Sequence, residues 1–116
     1  VTRTILAFLP LALWAAAVLV VGGLEEVPVP TLPRHGDKVG HFLMYGVGGA
    51  LAAWAGHIRG RGAGLAGLVF VLLTGAVDEL RQTMIPTRHG NPWDWVADAA
   101  GALFFYFIAG KILRRE

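Results

Sequence analysis

Two short stretches hold most of the side chains able to do chemistry. The first is Asp37-Lys38-Val39-Gly40-His41-Phe42, with Tyr45 after it. The second is Asp78-Glu79-Leu80-Arg81-Gln82, followed by Pro86, Arg88, Asn91, Asp94 and Asp98. Carboxylates beside an imidazole can move a proton or hold a divalent ion. Lys38 and Arg88 can hold a phosphate or a carboxylate, the arginine as a two-pronged donor. On a helix, Lys38, His41 and Tyr45 share one face, as do Glu79 and Gln82, and as do Asp94, Asp98 and Gly101. None of these spacings is a metal or nucleophile motif. There is no cysteine to form a disulfide or act as a thiol nucleophile. No metal and no cofactor is expected.

Each of these residues also has a purely structural reading. Asp37 and Asp94 can cap helices. Lys38 and Arg81 can snorkel to the headgroups. His41 can bond to a neighbouring helix. Glu79 and Asp98 are harder to place, because a carboxylate inside an apolar span needs a partner or a proton. Lys38 and Arg88 are the cations at hand.

The elements that carry these residues are apolar. The chain has 116 residues, of which 55% are hydrophobic and 16% charged, and its mean hydropathy is +0.58. Soluble domains carry about a quarter charged residues. Four spans of about 20 residues each would take up most of the chain, which argues against a soluble enzyme with an appended anchor. Spans are expected at approximately 4–24, 37–57, 62–82 and 92–113. The first is free of ionisable side chains from Ile5 to Leu24, with Pro10 as a tolerated kink. Ala15-Ala16-Ala17 has the small residues of a signal-peptide cleavage site, but the apolar run continues through Val21, so the segment is read as a span. Val27 to Pro33 holds three prolines and is an extended connection. Gly46, Gly49 and Ala53 in the second span allow another backbone to approach closely. The link 57–62 is short and basic. The third apolar run is short and must carry Asp78, Glu79 and Gln82 as its last turn. Asn91 is placed to cap the fourth span, with Pro92 at its first position and Asp94 at its third. The fold class is therefore all-α, a single-domain integral membrane bundle of four transmembrane helices.

Charge sets the expected orientation. Arg3, Arg59, Arg61, Lys111, Arg114 and Arg115 fall on one side of such a bundle, and Arg34, Lys38, Arg81 and Arg88 on the other. The excess of Lys and Arg marks the cytoplasmic side, so both termini are expected in the cytoplasm. The net charge of +2 then reflects orientation, and no nucleic-acid partner is expected. Loop one, the end of span three and the start of span four meet at the opposite face. They bring Asp37, Lys38, His41, Glu79, Gln82, Arg88, Asp94 and Asp98 to one shallow pocket.

The stretch Asp37-Lys38-Val39-Gly40-His41-Phe42 resembles the opening motif of the VanZ-like family of small bacterial membrane proteins. The segment with Glu79, Gln82, Pro86, Arg88, Asp94 and Gly101 resembles that family's second motif. The resemblance covers about Asp37 to Phe105, and the first span fits by hydropathy only. Asp98 stands where the family usually has Asn. A protonated or paired Asp98 would be needed to donate as that Asn does. The resemblance implies a bacterial inner-membrane protein with its signature residues at one face. The family's namesake is linked to resistance to the glycopeptide teicoplanin, but the family name supplies no molecular activity.

Three functions compete on these residues. The leading one is a non-enzymatic protein whose partners are membrane lipids. It would bind an anionic lipid headgroup or a cell-wall precursor through Lys38, Arg88 and His41. The second is a membrane enzyme acting on a polyprenyl-phosphate or similar lipid, with Glu79, Asp94 or Asp98 beside His41, either alone or with a metal ion. The third is a structural or partner-binding module whose cluster locks the bundle. Whether the chain is an enzyme, and its oligomeric state, stay open at this point.

Overall fold

The computed structural model describes residues 1–22, 36–84 and 92–114, with side chains of the second segment from Val39 onward. Four helices account for nearly all of them: α1 (Thr2–Gly22), α2 (Gly36–Arg59), α3 (Arg61–Gln82) and α4 (Pro92–Arg114). The architecture is an all-α four-helix bundle.

Side-chain contacts fix how the helices run. Arg3 Nη2 donates to the Ile58 carbonyl at 2.6 Å, and Trp54 Nε1 to the Leu6 carbonyl at 3.1 Å. The start of α1 therefore lies beside the end of α2. Arg81 Nη1 donates to the Leu19 carbonyl at 3.1 Å, joining the ends of α1 and α3. Arg81, a candidate for snorkelling to headgroups, thus also ties two helices together. His41 of α2 meets Asp98 of α4, both near the starts of their helices. The helices thus run up, down, up, down. α2 and α3 each touch the other three, α2 most extensively, whereas α1 and α4 do not meet among the described residues.

α1 continues through Pro10 without a break. Proline costs a hydrogen bond there, which membrane helices tolerate where neighbouring groups re-satisfy the backbone. The connection between α2 and α3 is tighter than the six-residue link read from the sequence. α2 runs on to Arg59 and α3 starts at Arg61, so Gly60 alone makes the turn. Its φ of 103° lies where only glycine sits without strain. At the other end of α3, Thr83 Oγ1 donates to the Leu80 carbonyl at 2.6 Å. The Met84 amide donates to the Arg81 carbonyl at 3.0 Å. These bonds satisfy carbonyls that a helix end leaves open. Pro92 is the first residue of α4, where its missing N–H costs nothing.

The bundle is apolar outside and small or polar inside. Leu13, Val20, Leu43, Val47, Leu73, Phe104 and Phe107 face outward. The interior holds Trp14, Tyr45, Ala52, Val71 and Ala102, together with Asp78, Asp94 and Asp98. Trp14 packs edge-on against Tyr45, with ring centroids 5.3 Å apart, and its Nε1 donates to the Met44 carbonyl at 3.0 Å. α2 and α4 pack backbone to backbone. A Cβ on Gly49 would collide with the Ala102 carbonyl, and one on Gly101 with the Phe42 carbonyl. Lipid chains are as apolar as leucine, so helices in a membrane associate through such close packing and polar contacts.

Three of the helices are long and apolar enough to cross a membrane: Thr2–Val21, Arg61–Gln82 and Pro92–Arg114. At 1.5 Å per residue, helices of this size are roughly 30–35 Å long, which matches a hydrocarbon core of about 30 Å. The chain is a multi-pass membrane protein. α2 has the length, 24 residues, without the hydropathy. Its central position explains this. Glycines fill the places where its neighbours press on it, Gly48 against α1, Gly56 against α3 and Gly49 against α4, and most of its ionisable residues stand at its two ends.

Candidate functional site

The polar residues gather where α2 begins, α3 ends and α4 begins. His41 lies five residues into α2, Asp98 six residues into α4, and Asp78 four residues before the end of α3. With a rise of 1.5 Å per residue, the cluster sits roughly 6–9 Å below the helix ends.

The best-defined contact is the pair formed by His41 and Asp98. His41 Nδ1 and Asp98 Oδ1 are 2.7 Å apart, with the His41 side chain 12% exposed and Asp98 only 2%. A carboxylate can only accept. Bonding to Asp98 as a carboxylate therefore puts a proton on Nδ1, fixes the tautomer, and leaves Nε2 free to accept or, in the imidazolium, to donate. Asp98 Oδ2 is buried and accepts no hydrogen bond among the described residues. It points at α3, 3.3 Å from where a Cβ on Gly75 would stand. Any side chain at Gly75 would press on this oxygen and on the Tyr45 ring, so the glycine makes the room that the cluster occupies.

A second set of contacts centres on Asp78, which is also 2% exposed. Gln82 Nε2 donates to its Oδ2 at 3.2 Å, and the Tyr45 hydroxyl reaches the same oxygen at 3.4 Å. The Gln82 bond spans one turn of α3, and the Tyr45 bond links α3 to α2. Asp94 is 6% exposed, and Glu79 is half-buried. Asp94 and Glu79 both lie within electrostatic reach of His41, and Asp78 and Asp94 within reach of Asp98. Asp78, Glu79 and Asp94 each have polar or electrostatic partners beyond these bonds.

The structure therefore brings His41, Glu79, Gln82, Asp94 and Asp98 together from three helices. Arg88 lies outside the described residues, as do the side chains of Asp37 and Lys38, whose backbones belong to the first turn of α2. The candidate set read from the sequence omitted two members, Tyr45 and Asp78. Tyr45 carried a signal, four residues after His41 and on its face. Asp78 carried one too, four residues before Gln82 and in phase with the buried Val71 and Thr74.

Chemically, the described cluster is rich in acceptors and poor in donors. It holds four carboxylates and a single imidazole, with donors from Gln82 and Tyr45. Among the described residues, no three His, Asp or Glu side chains converge as a metal site. The chain contains neither serine nor cysteine, so nucleophilic attack by a hydroxymethyl or thiol side chain is excluded. What the arrangement offers is an aspartate-oriented imidazole able to take or give a proton, and carboxylates able to receive hydroxyl or ammonium donors. In comparisons with known proteins, no family model, no curated protein and no solved structure matches this chain.

Proposed function

We propose that this chain is a VanZ-like protein of the bacterial inner membrane that binds the polar headgroup of an envelope lipid or cell-wall precursor at the face where the cluster lies. In this reading α2 is the fourth span, both termini are cytoplasmic, and the cluster faces outward. The observation that carries it is Asp98 Oδ2, a buried carboxylate oxygen with no donor among the described residues. An unsatisfied buried acceptor costs on the order of 1–3 kcal/mol, and more when it is charged. A hydroxyl or ammonium group of a bound headgroup would remove that cost. The charge balance refines the ligand. Four carboxylates would repel a bare phosphate, so the ligand carries donors for the acids, and its anionic group is assigned to Lys38 and Arg88 from the sequence alone.

Purification of the chain with its native lipids, followed by mass spectrometry, tests the reading. A donor-bearing lipid should be enriched over a size-matched membrane protein, and Asp98→Leu should abolish the enrichment while the protein stays folded. Absence of any enriched species would sink it. Orientation is tested separately by reporter fusions at Gly60 and after Glu116, both of which should report cytoplasm.

The pair of His41 and Asp98 also favours a second reading, a membrane enzyme acting on a polyprenyl-phosphate-type lipid. An aspartate bonded to Nδ1 is the usual way to hold an imidazole with Nε2 ready as a general base. Phosphate release from such lipids, lost in His41→Gln, would favour the enzyme. Unchanged release by that variant would exclude it.

A further inference from the structure

The end of the bundle remote from the acidic cluster holds a cleft of about 450 Å³ between the end of α2, the start of α3 and the end of α4. Its polar lining is His57, Arg61, Tyr106 and Arg114, and its apolar walls include Leu65 and Phe107. The cleft exists because the helices diverge there. α2 and α3 are pinned together by Gly56 and Gly64, where a Cβ on either would come within about 3.1 Å of the other's Cα. α4 is held off by the Tyr106 hydroxyl, 3.1 Å from where a Gly64 Cβ would stand. Below that contact, the last turns of α4 leave α3 uncovered.

The charge of this end is one-sided. All of the acids in the described residues lie at the other end of the bundle, whereas Arg3, Arg59, Arg61, Lys111 and Arg114 lie here. Arg61 and Arg114 line the cleft from opposite sides, one opening α3 and the other closing α4. The Arg114 guanidinium folds back along α4, with Nη1 3.7 Å from the position of a Gly110 Cβ. α3 also starts here without a side-chain cap on Gly60, so its first amides add to the positive end.

We propose that this cleft binds an anionic glycerophospholipid. The phosphate is held between Arg61 and Arg114, and the upper acyl chain lies along Leu65 and Phe107. The combination of two guanidiniums, an apolar wall and no acid among the described residues is what an amphiphilic phosphodiester requires. Basic pockets between spans on the cytoplasmic side bind acidic headgroups for this reason. The site is independent of the acidic cluster and of the function proposed for it, so loss of the cluster by Asp98→Leu should leave it intact.

The test is binding of dioleoyl-phosphatidylglycerol to the purified full chain in detergent, read by native mass spectrometry, with dioleoyl-phosphatidylcholine and free glycerol 3-phosphate as comparison probes. Phosphatidylglycerol should bind in preference to phosphatidylcholine, and glycerol 3-phosphate should not bind at the same concentration. Removing a basic residue near an anionic lipid weakens attraction about fivefold, so Arg61→Gln with Arg114→Gln should weaken binding about 25-fold. Arg59→Gln with Lys111→Gln removes the same charge outside the cleft and should have little effect. Gly110→Leu fills the cleft without changing any charge, and its added Cβ meets only the far end of the Arg114 side chain, at ordinary contact distance; it should also reduce binding. Equal losses from the two charge pairs would overturn the proposal, because binding would then depend on net charge alone. Full binding by Gly110→Leu, or tight binding of glycerol 3-phosphate, would overturn it as well.

Discussion

The bond between His41 and Asp98 can be weighed by a double-mutant cycle with leucine at either position. Asp98 is 2% exposed, so His41→Leu leaves a buried carboxylate that has lost its described donor. Breaking a buried pair in this way costs about 3–5 kcal/mol. Asp98→Leu should cost less, about 1–3 kcal/mol, because an imidazole near the helix ends can be neutral and reach water. If the two residues were independent, the double variant would cost the sum. A charge-assisted hydrogen bond at 2.7 Å contributes about 1.5–3 kcal/mol, so the double variant should fall short of the sum by that amount. Neutral hydrogen bonds between membrane helices average only about 0.6 kcal/mol, which makes the size of the coupling diagnostic. The assay is unfolding in mixed micelles by titrated sodium dodecyl sulfate, followed by far-ultraviolet circular dichroism. Additivity to within about 0.5 kcal/mol would refute the reasoning, and the pair would then be a contact without energetic consequence.

Asp98→Asn keeps an acceptor for His41 Nδ1–H and removes the charge, so it should cost no more than about 1 kcal/mol in the same unfolding assay. Gly49→Leu should destabilise by at least the 1–3 kcal/mol typical of overpacking, because even a Cβ there strikes the Ala102 backbone; Gly62→Ala, with open space around it, should be silent. From the sequence, Arg88→Lys should impair lipid enrichment at matched expression, because lysine keeps the charge and loses the fork, and Asp94→Asn should impair it too. Wild-type enrichment in both variants would remove these residues from the working site.

The bundle was legible in the sequence because the membrane restricts the options. Apolar runs of helical length, broken at Val27–Pro33 and ended near Pro86, leave little choice but four helices. The boundaries moved where a single residue decided them, as at Gly60, whose positive φ turns the chain in one step. The acidic cluster was legible as a set of polar residues at apolar depth. Its pairing was not. Periodicity put Asp94 and Asp98 on one face, but only the close approach of α2 and α4 at Gly101 makes Asp98 the partner of His41. Asp78 was passed over because it sits beside Glu79 in sequence, and the sequence pattern does not say which of two adjacent carboxylates turns inward. α2 misled in the opposite sense. Its glycines and polar side chains lower its hydropathy, and the glycines are what let the other helices pack against it.

Stability alone does not account for the acids. Replacing a buried charged network with apolar side chains of similar volume is often neutral or stabilising, and this bundle already holds its helices through glycine contacts far from the cluster, as at Gly56 and Gly64. A chain that needed only to fold in a membrane would lose nothing by exchanging His41, Asp78 and Asp98 for leucine, asparagine and alanine in some combination. The scaffold function, in which the cluster only locks the bundle, therefore makes a definite demand: a combined replacement that still folds must keep its lipid complement unchanged. The headgroup-binding function demands the same folding with the lipid lost. Both require the variant to be stable, so the two readings separate on the bound lipid and not on the melting curve.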